Sequence, residues 1–442
     1  MRGLNRWVVT FAATAAQMIL GMATSVILAR SLGPDNRGLL AAIVFWPTFL
    51  FQVAYFSLNE ATAHEVARAG MTGKRSRDVA RAALTLHIFS ALWVCVFVAI
   101  VLPLVINAEH VKYIDLIFSY GIGFVILTVI DLFNHAALQG SGQTFRANLL
   151  RLIQPSTYAV LLLILLLLRE MEVPLVLGAM LFSSALSVVV GFALSRVVRP
   201  ACGVVRAGSI LKTAVRFHGV NILLYVSTEI DKLVVIRWMG NAEIGYYMVA
   251  LAYAMLGMGM VVSSFAVLTY ADIASLQDRK DQAAQIARYS RYAMFLAAST
   301  NLLAGMLAVW LLPLIYGEAF IAAVPIATIL LVATACKALR QVLDRALRAC
   351  LNTRLAIGAE IVSMTSFIVL LALVLNVTSG LPAVATAIAA SQVLALAFLM
   401  VKIKRSFNLA LADMWGLRLQ TLAGFARLTN NEIRSLARMK RT

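Results

Sequence analysis

The feature that most constrains this chain is a succession of apolar runs, each about the length of a helical membrane crossing. They fall at 7–29, 38–59, 83–106, 114–139, 152–168 and 174–195, and again at 217–236, 242–270, 292–315, 320–343, 355–377 and 381–401. One crossing takes about 20 apolar residues. Twelve crossings therefore use nearly all the apolar residues of a 442-residue chain that is 62% apolar and 13% charged. A soluble domain is about half apolar and a quarter charged, so the composition argues against a water-soluble enzyme. No stretch is both long and polar enough to form a separate soluble domain. Hydrocarbon offers the backbone no partner, so each run must pair its own N–H and C=O groups as a helix. The expected fold is all-α: a polytopic membrane protein with twelve transmembrane helices. The run from Trp7 to Ala29 exceeds a signal-peptide core and ends on no clean cleavage site, so it reads as a retained first span.

The net charge is +18. In a soluble protein that excess would suggest nucleic acid. Here its distribution points elsewhere, and no nucleic-acid partner is expected. Of 38 Lys and Arg, 30 lie in the N-terminus, in 60–82, 140–151, 196–216, 271–291 and 344–354, and after 401. The alternate loops hold five (Arg30, Arg37, Lys112, Arg169 and Arg237), and three (Lys232, Lys337 and Arg340) lie inside runs. By the positive-inside rule both termini are cytoplasmic, with basic loops facing anionic membrane lipids. The tail repeats apolar residues at helical spacing (Leu411, Trp415, Leu419, Leu422), and Thr429 with Glu432 fits a capping box, which suggests helices lying on the inner leaflet. Cys95, Cys202, Cys336 and Cys350 form neither a CxxC pair nor a zinc spacing, so no metal or other cofactor is expected. The chain contains no phosphate-binding G-x-x-x-x-G-K-[ST] loop, which argues against an ATP-driven pump.

Two stretches repeat. Arg30, Gly33 and Gly38 at the end of the first run match Arg237, Gly240 and Gly245 at the end of the seventh, shifted by 207 residues. Leu102-Pro103-Leu104 matches Leu312-Pro313-Leu314, shifted by 210. Near-equal shifts at equivalent span ends indicate a duplication of six plus six helices, a parallel repeat about an axis along the membrane normal. The expected organisation is an N-terminal lobe (1–200), a C-terminal lobe (201–403) and a basic amphipathic cytoplasmic tail (404–442), with the lobes around a central cavity.

Polar side chains in the membrane are costly and usually face a cavity or a partner helix. The seventh run carries His218, Asn221, Tyr225, Glu229 and Lys232 on one helical face, with Asp231 beside it. The tenth carries Lys337, Arg340, Asp344 and Arg348, and the fourth carries Thr128, Asp131, His135 and Gln139. Gln17 lies on a polar face of the first run, Asn59 ends one on the second, and Glu360 is a lone acid in the eleventh. Two readings compete. Either these faces line a hydrated cavity, or they are inter-helix bonds and buried pairs such as Glu229 with Lys232 and Arg340 with Asp344. On the cavity reading, Lys337, Arg340, Arg348, Lys232, His218, Asn221, Gln17 and Asn59 bind the anionic head group of a substrate, since guanidinium and ammonium groups suit phosphate. Asp131, His135, Glu229 and Asp344 are the candidates for coupling to a proton or sodium gradient, because such groups change charge readily when desolvated.

Several of these stretches carry a resemblance. Arg30-Ser-Leu-Gly33-Pro-Asp-Asn-Arg-Gly38, Leu138-Gln-Gly-Ser-Gly-Gln143, Asp231-Lys-Leu-Val-Val-Ile through Gly245-Tyr-Tyr, and Leu312-Pro-Leu-Ile-Tyr316-Gly-Glu-Ala-Phe320 together resemble Wzx-type polysaccharide flippases of the MOP superfamily, from about residue 1 to 403. The resemblance implies two six-helix lobes and alternating access. It also implies a polyprenyl-pyrophosphate-linked oligosaccharide moved from the cytoplasmic to the outer leaflet of a bacterial inner membrane, ion-gradient coupling (H+ or Na+), and polymerase or export proteins as partners. Arg30, Gly33, Gly38 and Asp231 are its signature or gate positions, and no covalent chemistry is implied. Three rival readings are a lipid II flippase, a multidrug or cation antiporter of the same superfamily, and a membrane polymerase or glycosyltransferase. The basic chain after 401 counts against the extra spans of the first. The basic cavity counts against the second, and short outer loops count against the third.

Overall fold

A computed structural model describes residues 2–70, 73–197, 204–376 and 379–415. Among them there is no strand. The helices are α1 (Arg2–Ala54), α2 (Leu58–Arg68), α3 (Lys74–Val105), α4 (Ile114–Gly140), α5 (Thr144–Leu168), α6 (Val173–Ser195), α7 (Val204–Trp238), α8 (Asn241–Ala274), α9 (Arg279–Tyr316), α10 (Val324–Ala349), α11 (Thr353–Val374), α12 (Leu381–Phe407) and the short α13 (Leu411–Met414). The all-α, multi-pass reading holds: nine helices among the described residues are long and apolar enough to cross a membrane. Two of the expected spans are one element here, because α1 runs through both, kinked at Gly33 (φ 70°, ψ 179°). Proline disfavours helix in the residue before it, and glycine alone takes positive φ at no cost, so Gly33-Pro34 bends the chain without ending it. Helices α7 and α8 are outside the nine. Along α7, the charges of Lys212, Arg216, Glu229, Asp231 and Lys232 interrupt the apolar run.

Most helices outlast their apolar runs. The seventh run begins at 217 but α7 begins at Val204, and α9 has its first charged turns before the run at 292. Helical hydrogen bonding continues where lipid gives way to water, whereas apolarity stops there. The exterior is apolar, with Leu104, Leu167, Leu302 and Trp310 each more than 60% exposed. Side chains of this kind suit contact with lipid rather than water. The amphipathic helices expected in the tail beyond Trp415 lie outside the described residues.

The chain forms two compact units: residues 1–249 with 315–319, and residues 250–314 with 320–442. In the first, α7 packs on α1, α2 and α3, and α1 lies along α4 and α5. Aromatic rings fill its centre, with Phe51 stacked on Tyr55 at 4.8 Å and the buried His87 edge-on to Phe133 at 5.3 Å. In the second, α12 packs against both α10 and α11.

Candidate functional site

The first unit joins the two copies of the repeated signature. A Cβ on Gly38 would sit 1.7 Å from the backbone oxygen of Asn241, and a Cβ on Gly245 would sit 2.1 Å from that of Pro34. The 207-residue shift that relates Gly38 to Gly245 also relates Pro34 to Asn241. The two contacts are therefore mirror roles of one motif, and each copy uses its glycine to admit the other's backbone. The loops that follow the repeated Leu-Pro-Leu segments complete a crossed arrangement. Arg30 of the first copy donates from Nε to the carbonyl of Ile315 (2.8 Å), in the loop of the second. In return, Asn107 of the first loop donates to the carbonyl of Arg237 (3.3 Å), and His110 Nε2 pairs with Asn241 Oδ1 (2.8 Å). The sequence singled out Arg30, Gly33 and Gly38 but not Asn107, His110 or Asn241. Asn107 and His110 lie between α3 and α4 and Asn241 opens α8, and nothing in their spacing marks them. Arg37, grouped by sequence with the outer-loop charges, is instead half-buried within α1, close enough to Tyr158 and Tyr316 to interact electrostatically.

Toward the other end of α7, the expected polar face is real. His218, Asn221 and Tyr225 line a cavity of about 220 Å³, together with Gln52, Asn59 and Glu60. Asn221 donates to Ser57 Oγ (3.1 Å), and the His218 ring lies 4.8 Å from that of Phe56. Phe56 and Ser57 are both left-handed, with φ of 57° and 51°, so the chain turns between α1 and α2, and Asn59 and Glu60 just after the turn line the cavity. Burial raises the pKa of the Glu60 carboxyl above the ordinary range. Further along the same face, Glu229 accepts a bond from Lys232 (2.5 Å). Asp231 points the other way: it is buried, takes a bond from Tyr247 on Oδ2 (2.5 Å), and its Oδ1 has no partner. Gln17 is on an exposed face of α1, outside the 220 Å³ cavity.

Asp131 and His135 meet one turn apart on α4, at 3.5 Å. Asp131 also accepts a bond from Ser187 on α6 (2.7 Å), so this polar pair faces a partner helix.

In the second unit the α10 face is closed at Arg340 and opens toward Arg348, which is exposed. The guanidinium of Arg340 is 4% exposed; it pairs with Glu360 of α11 and bonds Gln392 of α12, whose amide bonds Ser363 (2.9 Å). Arg340 thus reaches across to Glu360 rather than along its own helix. Asp344, suggested by spacing as its partner, pairs instead with Arg348 (2.8 Å). Lys337 is half-buried one turn before Arg340. Gln392 escaped the sequence reading, although a lone glutamine midway along an otherwise apolar helix is a signal that could have found it. Among the described residues no group of acidic, histidine or cysteine side chains has the form of a metal site.

The fold is similar to those of solved membrane transporters. The lipid II flippase MurJ in an inward closed conformation superposes with a TM-score of 0.73 at 14% identity, over 92% of this chain and 89% of that one. An inward-facing multidrug resistance MATE family transporter gives 0.73 at 14% identity, over 89% and 94%. An outward-facing one gives 0.60 at 14% identity, over 91% and 94%. No curated relative matches the sequence. The profile of a family described as polysaccharide biosynthesis protein matches residues 27–325, and the chain belongs to that family. The match spans both copies of the repeated signature and agrees with the resemblance read from them.

Proposed function

We propose that this protein is a flippase that moves a polyprenyl-pyrophosphate-linked oligosaccharide from the cytoplasmic to the outer leaflet of a bacterial inner membrane, by alternating access and driven by an ion gradient. The observation that carries this reading is the polysaccharide biosynthesis family match on a chain with a MOP transporter fold. The same match favours a sugar-bearing lipid over the drugs named for the MATE neighbours. Twelve spans in lobes 1–200 and 201–403, with both termini cytoplasmic and the tail 404–442 on the inner leaflet, belong to the same proposal. In it, Lys232, His218, Asn221, Asn59 and Gln17, with Lys337 and Arg348, meet the pyrophosphate and its sugar. Arg340 is buried between Glu360 and Gln392, so we assign it to helix packing. The crossed contacts of Arg30, Gly38 and Asn241 act as the outer gate that closes and opens in each cycle. Asp131, His135, Glu229 and Asp344 carry the coupling ion. The partners are the lipid-linked substrate, membrane lipids and the polymerase or export proteins that consume the product.

The test is reconstitution into liposomes with a fluorescent polyprenyl-pyrophosphate oligosaccharide and an imposed proton or sodium gradient. The probe should become accessible on the opposite face only when protein and gradient are both present. K337Q/R348Q should lose most of that movement while inserting normally. Equal movement in protein-free vesicles, or full movement of a lipid bearing no sugar, would reject the proposal.

A further inference from the structure

The cavity of about 220 Å³ beside α7 is polar without being cationic. Gln52, Asn59, Glu60, His218, Asn221 and Tyr225 belong to its lining, and no lysine or arginine does. A phosphate accepts hydrogen bonds and is held by guanidinium or ammonium groups. This lining offers neither, and the Glu60 carboxylate would repel it. The cation further along the same face of α7, Lys232, is paired with Glu229 (2.5 Å). Amide, hydroxyl and imidazole groups both donate and accept, which matches the hydroxyls of a sugar ring, since those do both as well.

The lining keeps capacity for such a ligand. Asn221 donates to Ser57 Oγ (3.1 Å), and His218 bonds the backbone of Val53. Both side chains are thereby anchored. An asparagine amide has two N–H groups and an oxygen, and an imidazole has two nitrogens, so each anchor uses only part of what the group can bond. The exposed amide of Gln52 bonds to no described residue. Tyr55 and Tyr225 add aromatic rings, each an apolar body with a polar tip, and Tyr225 lies against Phe49 with 5.8 Å between ring centres. Pockets for drug-sized ligands hold roughly 300–1,000 Å³. About 220 Å³ suits one sugar ring rather than a whole oligosaccharide. Glu60 is the only carboxyl of the lining and is exposed, so it meets the charge of whatever enters.

We propose that this cavity holds one neutral or amino-bearing sugar ring of the lipid-linked oligosaccharide, and that Glu60 sets its specificity by disfavouring an acidic sugar. The assignment rests on the flippase reading above and leaves the pyrophosphate to cationic side chains elsewhere. Its test uses the full-length protein in liposomes with an imposed gradient and two fluorescent polyprenyl-pyrophosphate probes, one bearing glucose and one glucuronic acid. Mildly alkaline pH keeps Glu60 ionised. The glucosyl probe should move at least about tenfold faster, because like charges repel. E60Q should bring the two rates close together, chiefly by speeding the glucuronosyl probe. D281N removes an equal charge from α9 outside the cavity and should keep the parent's ratio. Q52A has no internal hydrogen bond to lose, so it should melt like the parent. The half-saturating amount of the glucosyl probe should rise about fivefold in Q52A, the loss of one hydrogen bond to the ligand. Equal rates in the parent, a parent-like ratio in E60Q, the same loss of ratio in D281N, or unaltered saturation in Q52A would each overturn the sugar subsite and leave the flippase reading standing. Movement of neither these probes nor the oligosaccharide probe would reject that reading, and the subsite with it.

Discussion

Helices α7 and α10 carry much the same signature in sequence, ionisable residues at helical spacing in an apolar run, yet they meet different fates. On α7, His218, Asn221 and Tyr225 open onto a cavity. On α10, Arg340 is enclosed by Glu360 and Gln392 from two neighbouring helices. The neighbours decide. Beside α7 stands the left-handed turn at Phe56 and Ser57, which leaves space and offers small polar groups. Beside α10 stand α11 and α12, each of which supplies one well-placed acceptor. A polar stripe therefore announces that its helix has an inner face, without saying whether that face holds a ligand or another helix.

The comparison breaks most sharply at Arg340. Its loss breaks the pair with Glu360, and breaking a buried pair costs about 3–5 kcal/mol. Glu360 keeps 28% of its side-chain surface, so R340A should cost near the lower bound, and R340M/E360M should recover most of it. Denaturation in detergent checks both. A stable R340A that fails only in transport would show the α10 face to be open after all. The converse holds for α7. H218A/N221A removes the Asn221–Ser57 bond and the bond of His218 to the backbone of Val53, each worth about 1 kcal/mol, and should lower stability less than R340A does while cutting transport of the lipid-linked sugar at least about tenfold, a change of roughly 1.4 kcal/mol. On α4, D131N keeps the shape and the bond to Ser187. It should remove the gradient dependence of transport with little change in stability, and unaltered dependence in vesicles would reject the coupling role. The smallest effect is expected at Glu60. Its pKa is raised by burial, so the folded state holds its proton more tightly than the unfolded chain. The ionised carboxyl then costs stability above the folded pKa, and the cost fades as pH falls toward the unfolded value. E60Q should thus raise the Tm slightly at neutral pH and lose that advantage in acid, as a pH series of melting curves would show.

Much of this was legible in the sequence because lipid is a strict solvent. It forces apolar runs into helices, so the all-α, multi-pass class followed from run lengths, whereas the first two runs, separate in sequence, are one helix kinked at Gly33. The repeat was legible too, since Gly38 and Gly245 were named by a common shift before any contact between them was known. The pairing of Arg340 was not. Spacing along one helix offered Asp344, whereas the partner came from α11, and no periodicity within α10 carries information about which helix lies beside it.

The sequence alone determined the apolar, multi-pass character of this protein and the all-α class of its fold, because both depend on residues near one another in the chain or on overall composition. Only the tertiary structure decided which polar side chains line a cavity and which are enclosed by neighbouring helices, and which backbone groups each copy of the signature meets. Those outcomes depend on pairs of groups far apart in sequence, whose energies are settled only when the helices pack.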